Sequence, residues 1–222
     1  MELILLFAGI IISIFAQIKV HSAFAKGSKM PNSKAIDGHE VAQAILKAES
    51  LANVPVSEVP GKLADHYNPI NRTLHLSPEV YGAKTISALA VAAHEVGHAI
   101  QHRDNYHYLV MRTTLYPVVG FASYAAPLII IAGMFISSVP MLLEIGILLF
   151  AATVFFTVIT LPVEFDASRR AMVAINKLGL VTTEESVQVK KVLDAAALTY
   201  VAAAIASILE LVRLIMIARS QD

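Results

Sequence analysis

The sequence predicts a mainly α-helical membrane protein with four transmembrane helices and a smaller lobe outside the bilayer. Of its 222 residues, 56% are hydrophobic and only 15% are charged, whereas soluble domains carry about 25% charged residues. Apolar runs of the length needed to cross a bilayer recur along the chain, with polar segments between them. The lipid bilayer is therefore a predicted partner. Nucleic acid is not, because the formal net charge is zero.

The apolar and polar segments divide the chain into five parts. The first transmembrane helix is predicted at 1–20, a transmembrane helical hairpin at 115–161, and the fourth transmembrane helix at 198–218. The segments between them, 21–114 and 162–197, are predicted to form the two parts of one lobe. We interpret the first span as a retained anchor rather than a cleaved signal peptide, because no positive charge precedes it.

The distribution of lysine and arginine predicts the orientation of the chain. The hairpin turn Ser137–Pro140 is very short, so the outer ends of the second and third spans return to one side of the membrane. Lys19–Thr114 carries ten of these basic residues, Pro162–Ala197 carries five, and the turn carries none. The positive-inside rule then places both polar segments in the cytoplasm and both termini outside. We expect a multi-pass protein of the cell membrane with a cytoplasmic lobe.

The first polar segment is predicted to contain two helices and a small β-hairpin or sheet. Asp37 and Glu40 form a capping box at the start of an amphipathic helix over 38–52. Short alternating runs between turn residues then predict strands, and we expect Arg72–Leu76 to be an edge strand. The second helix is predicted at 85–103.

This second helix contains the pattern H-E-x-x-H, formed by His94, Glu95 and His98. Residues four apart share one helix face, so both imidazoles can bind one cation. Glu95 is turned about 100° around the helix, where its carboxylate can reach a water bound to that cation. Two nitrogen ligands, a general base and an open position are what zinc-assisted hydrolysis of an amide requires. Gly97, inside the pattern, predicts the close approach of another backbone.

A catalytic zinc needs a third protein ligand, and we predict that Glu164 supplies it. The chain has no cysteine, and the glycine and histidine that continue this pattern in metzincins are absent. His102 lies about 12 Å along the helix axis from His94, too far to share one ion. Glu144 lies about 30 Å by helical rise from Glu164, on the other side of the membrane. Asp166 is predicted to pair with an arginine of its own helix.

Several segments together resemble the YugP-like neutral zinc metallopeptidases of bacterial membranes. The matching segments are Asp65–Pro69, Ser77–Pro78 with Val80–Tyr81, Ala93–Gln101, Pro162–Ser168, and Ala195–Ala197 with Thr199–Tyr200. They extend over most of the chain from Ile36 onward, and their combination is far more specific than H-E-x-x-H alone.

The resemblance implies a helix-rich zinc metallopeptidase lobe of the gluzincin type, distantly related to the HtpX-like proteases. It implies that His94, His98 and Glu164 are the zinc ligands and that Glu95 is the general base. One departure stands out. HtpX-like enzymes have an aspartate four residues after the ligand glutamate, and this chain has Ser168 there.

The predicted function is that of a membrane-embedded zinc metalloendopeptidase that acts on membrane-associated or unfolded proteins or peptides. The strand Arg72–Leu76 would pair with an extended substrate. Candidates for stabilising the oxyanion are Tyr200, His66 and Tyr106. Two alternatives stay open: an intramembrane zinc protease with its motif helix inside the bilayer, and a metal-dependent membrane scaffold without hydrolysis. The sequence does not determine the oligomeric state.

Overall fold

The computed structural model describes residues 1–136, 139 and 141–220. Within those residues the chain forms seven helices and three strands. In chain order they are α1 (Glu2–Gly27), α2 (Gly38–Ala48), β1 (Val56–Glu58), β2 (His66–Asn68), β3 (Thr73–Leu76), α3 (Pro78–Tyr81), α4 (Ile86–Arg103), α5 (His107–Phe135), α6 (Met141–Lys177) and α7 (Thr183–Arg219). The predicted turn Ser137–Pro140 lies outside the described residues, except for Val139.

Four of these helices, α1, α5, α6 and α7, are long and apolar enough to cross a membrane. The predicted fold class, four transmembrane helices with a small sheet in a helical lobe, is confirmed. Helices α6 and α7 each contain 37 residues, which makes each about 55 Å long, whereas the hydrocarbon core of a bilayer is about 30 Å thick. Each of the two therefore extends past the bilayer core into the lobe.

The ends of the spans are continuous with the lobe. The expected boundary after residue 161 falls inside α6, which runs without a break through Pro162. A proline inside a membrane helix is tolerated where neighbouring groups satisfy the freed backbone carbonyl. The expected boundary at 197 falls inside α7 in the same way, and α5 begins at His107, well before the apolar run.

One hydrophobic core holds the lobe together. It is formed by α2, β3 and α4 with the ends of α6 and α7. Its fully buried side chains include Ile45, Leu74, Leu89, Ile175 and Val189. The two polar segments of the sequence thus pack on one another. Helix α4 lies at the centre of this core, with most of its residues buried.

Helix α2 has the predicted capping box but ends at Ala48, four residues earlier than expected. Ser50 adopts a positive φ of 58°, and the backbone N–H of Leu51 donates to the carbonyl of Leu46 at 2.7 Å. This is the Schellman pattern, in which a left-handed residue closes the helix and satisfies its last carbonyls. The apolar periodicity therefore continued past the true end of the helix.

The small sheet has the order β1-β3-β2. Strand β3 pairs in parallel with β1 and antiparallel with β2. The prediction that Arg72–Leu76 is an edge strand is therefore wrong, because β3 is the central strand. Strand β2 forms the edge nearest α4, since the N–H of Tyr67 donates to the side chain of Glu95 at 3.0 Å.

Helices α4 and α6 cross at Gly97. A Cβ atom at this position would lie 2.4 Å from the carbonyl oxygen of Ala167, a distance that real Cβ atoms do not show. The predicted close approach of a second backbone is confirmed. It brings the motif face of α4 against the segment of α6 that carries Glu164.

Candidate metal centre

His94 and His98 lie on one face of α4, and Glu164 projects from α6 towards both. The Oε2 atom of Glu164 is 3.2 Å from Nε2 of His94 and 3.6 Å from Nε2 of His98. The ligand atoms of the three residues all lie within 4.8 Å of one another. Ligands bound tetrahedrally at about 2.0–2.1 Å stand about 3.3 Å apart. The donor set and its spacing therefore fit a zinc ion with three protein ligands.

The second nitrogen of each imidazole is held by a neighbouring side chain. Nδ1 of His94 is 3.1 Å from Oγ of Ser168, and Nδ1 of His98 is 3.0 Å from Oε1 of Gln101. Histidines that bind metals are commonly oriented through their other nitrogen in this way. Both Nε2 atoms thus face Glu164.

The centre is buried and negatively charged. Glu164 is 2% exposed, and both Glu95 and His98 are 8% exposed. Burial opposes protonation of His98, but the neighbouring carboxylates of Glu164 and Glu95 outweigh it, so the pKa of His98 is raised. The same two buried carboxylates that favour a positive charge on His98 would also stabilise a bound cation.

The second carboxylate oxygen of Glu164 has its own partner. Nη1 of Arg112, on α5, donates to Oε1 of Glu164 at 3.0 Å. The guanidinium therefore hydrogen-bonds to Oε1, the oxygen that is not directed at the two histidines. This arrangement leaves only Oε2 free to face a metal.

Glu95 lies beside the three-residue group, in contact with the sheet. Its Oε2 atom accepts the backbone N–H of Tyr67 on β2, which leaves its other oxygen without a partner among the hydrogen bonds of the described residues. His102, one turn after His98 on α4, binds the hydroxyl of Tyr67 at 2.9 Å instead of joining the group. Burial and the charge of Arg72 lower the pKa of His102, so it is a neutral partner for that hydroxyl at pH 7.

The three oxyanion candidates differ in their surroundings. Tyr200, on α7, lies within electrostatic range of both Glu164 and Glu95. The hydroxyl of Tyr106 instead faces the carbonyl of Pro162 at 3.4 Å. His66 stacks on the imidazole of its cross-strand neighbour in the sheet, with ring centroids 4.8 Å apart. Of the three candidates, Tyr200 is therefore the one that interacts electrostatically with both carboxylates of the centre.

Asp166 does not join the group. It pairs, as predicted, with arginines of its own helix, Arg169 and Arg170, and accepts a hydrogen bond from Gln101. Glu144 lies in the first turn of α6, at the opposite end of the helix from the centre.

The comparison with known proteins agrees with this geometry. Residues 2–219 match the model of a family described as "Putative neutral zinc metallopeptidase". The chain belongs to this family. A curated relative in Bacillus subtilis (strain 168), described as "Putative membrane protease YugP", is 50% identical over 206 residues, which are 93% of this chain and 91% of the relative. No solved structure matches the chain.

Membership of the neutral zinc metallopeptidase family confirms the resemblance inferred from the sequence segments. The departure at Ser168 also has a structural counterpart. Where HtpX-like enzymes have a carboxylate, this chain presents the hydroxyl of Ser168 to Nδ1 of His94. The partner of this imidazole nitrogen is therefore a neutral hydroxyl.

Two residues that contact the group, Gln101 and Arg112, were not predicted from the sequence. Gln101 follows His98 by three positions on the same helix, and this spacing alone predicts a contact. No comparable sequence pattern predicts the contact of Arg112 with Glu164. It lies on a different helix from Glu164, and only the packing of α5 against α6 brings the two together.

Proposed function

We propose that this protein is a membrane-embedded zinc endopeptidase that hydrolyses peptide bonds of membrane-associated or unfolded proteins and peptides. The observation that carries the proposal is the convergence of His94, His98 and Glu164 around one point, with Glu95 beside them. Three protein ligands with a carboxylate base are the composition of a catalytic rather than a closed structural zinc site. Family membership and the protease description of the relative support the same chemistry.

In this proposal each side chain has a separate task. His94, His98 and Glu164 would hold the zinc, which when bound would supply Lewis acidity and lower the pKa of a bound water towards about 7. Glu95, oriented by the N–H of Tyr67, accepts a proton from the attacking water and returns it to the leaving amine. The hydroxyl of Tyr200 donates to the oxyanion that develops on the scissile carbonyl.

The proposed location is the cell membrane, with the centre facing the cytoplasm. The basic residues of both lobe segments support this orientation through the positive-inside rule. The alternative of an intramembrane protease is less well supported, because α4 is not among the four helices apolar enough to cross a membrane. A non-hydrolytic scaffold would have no use for a buried base held by a backbone N–H.

The metal content and peptidase activity of three purified proteins test the proposal. We expect about one zinc per chain in the wild type and in Glu95→Gln, and loss of zinc in Glu164→Ala. Glu95→Gln keeps the ligands but removes the base, so hydrolysis of an unstructured fluorogenic peptide should fall by about 100-fold or more.

Each assignment has its own contradicting result. Full turnover by Glu95→Gln excludes Glu95 as the base. Zinc retained by Glu164→Ala excludes Glu164 as a ligand, and a wild type without zinc excludes the metallopeptidase itself.

A further inference from the structure

Gln101 is a completely buried polar residue next to the proposed zinc centre. It lies on α4, one turn after His98, and has no exposed surface. Its Oε1 atom is 3.0 Å from Nδ1 of His98. Its Nε2 atom donates to the carbonyl of Val163 at 2.7 Å and to Oδ2 of Asp166 at 3.0 Å. All three contacts are within the range of good hydrogen bonds.

These contacts fix which way the amide of Gln101 is oriented. Its nitrogen has two hydrogens, and the two groups on that side, a backbone carbonyl and a carboxylate, can only accept. A flipped amide would place its oxygen against both acceptors. The oxygen therefore faces His98, and because an amide oxygen can only accept, Nδ1 of His98 must carry a proton.

A proton on Nδ1 determines what the other nitrogen of His98 can do. In the neutral ring one nitrogen is a donor and the other an acceptor. The Nε2 lone pair of His98 is thus directed at the point it shares with His94 and Glu164. Ser168 imposes no such choice on His94, because a hydroxyl rotates and can either donate or accept.

The same side chain also holds the segment that carries the third ligand. The carbonyl that accepts from Gln101 belongs to Val163, the residue before Glu164. Asp166, its other acceptor, is held by Arg170, which also pairs with Asp104 at the end of α4. Gln101 therefore connects His98 on α4 to the backbone of α6 at Glu164.

We propose that Gln101 is a positioning residue for the zinc centre, which fixes the tautomer of His98 and the spacing between His98 and Glu164. The inference rests on the proposed function as far as the zinc is concerned. The tautomer of His98 follows from the hydrogen bonds alone. The two parts can therefore be tested separately on the same protein.

The test compares Gln101→Met with Gln43→Met, a matched exchange at an exposed position of α2. The zinc affinity of each full-length protein is measured by competition with a fluorescent chelator. We expect Gln101→Met to bind zinc about 10- to 100-fold more weakly than the wild type and Gln43→Met to be unchanged. Circular dichroism of the metal-free proteins shows whether each variant is folded.

Nitrogen NMR of labelled histidines in the metal-free protein, at a pH where the rings are neutral, reports the tautomer. We expect His98 of the wild type to carry its proton on Nδ1, and Gln101→Met to lose that preference. The tautomer of the wild type needs no variant, so this measurement tests the assignment even if Gln101→Met does not fold.

Different results overturn different statements. A wild-type His98 protonated on Nε2, or zinc affinity of a folded Gln101→Met within about twofold of the wild type, overturns the role of Gln101. A folded Gln101→Met in which His98 keeps the proton on Nδ1 overturns it as well. Failure of the wild type to bind zinc, with the Nδ1 tautomer present, instead overturns the proposed function.

Discussion

At the scale of single residues, each group around the proposed zinc centre has one atom facing the centre and another held by a neighbour. Ser168 holds His94, Gln101 holds His98, and the N–H of Tyr67 holds Glu95. Such partners reduce the rotamer freedom that ligands lose when they bind a metal, and their loss typically weakens binding. The buried side chains of the described residues leave no polar atom without a partner. The centre is therefore preorganised.

Arg112 is the partner with the most specific predicted effect. Its guanidinium binds Oε1 of Glu164 at 3.0 Å, so only Oε2 is available to a metal and the fourth position can hold water. We expect Arg112→Gln to keep about one zinc per chain and to lower kcat/KM by about 10- to 100-fold. The freed Oε1 atom could then also bind the metal and displace the water.

Two measurements check this role of Arg112. The absorption spectrum of the cobalt-substituted protein distinguishes four from five ligands, and Arg112→Gln should increase the coordination number. Arg112→Lys keeps the charge without the fixed geometry of the guanidinium and should be intermediate in activity. Wild-type kcat/KM in Arg112→Gln would show that the hydrogen bond has no part in the reaction.

At the scale of helices, the packing of α4 on α6 sets the distance between the motif and Glu164. Gly97 permits this packing, because any Cβ atom there meets the backbone of Ala167, not a flexible side chain. The contact lies between His94 and His98 on one helix and three residues after Glu164 on the other. A small increase in helix separation at this point would therefore act directly on the ligand spacing.

We expect Gly97→Ala to destabilise the protein by about 1–3 kcal/mol, the usual cost of overpacking, and to weaken zinc binding. Gly120→Ala is the matched control, since it is also a glycine inside a helix but its Cβ would meet no atom within 4 Å. That exchange should leave stability unchanged or raise it by up to about 1 kcal/mol. Thermal unfolding in detergent measures both. Equal midpoints of thermal unfolding for the two variants would contradict the role of Gly97 in the packing of α4 on α6.

The helices were predictable from the sequence because their signals are local. Apolar runs identified four spans, and the spacing in H-E-x-x-H indicated a shared face for His94 and His98. The predicted membrane topology placed Glu164 on the same side as the two histidines. The sheet order was not predictable, because β1 contains only three residues and pairs with β3 across a segment that contains β2. The contact of Arg112 likewise depends on how α5 packs against α6, which no periodicity encodes.

At the scale of the whole molecule, the lengths of the long helices predict a centre close to the membrane surface. Glu164 lies about 35 Å by helical rise from the first residue of α6, close to the about 30 Å thickness of a hydrocarbon core. The lobe is built on the same helix ends. A centre at this depth is within reach of the segments of membrane proteins that lie next to the bilayer, which supports membrane-associated substrates.

The proposed orientation makes a prediction for the whole chain. The protein has no cysteine, so single cysteines introduced at exposed positions report their own side of the membrane without background. Lys47→Cys in α2 and Glu184→Cys at the start of α7 represent the two lobe segments, and Ser220→Cys follows the last helix.

Because the positive-inside rule places the lobe in the cytoplasm, an impermeant maleimide applied to intact cells should label Ser220→Cys alone. Opening the cells should expose the other two sites together. Labelling of Lys47→Cys and Glu184→Cys from opposite sides would separate the two halves of the lobe and contradict the orientation.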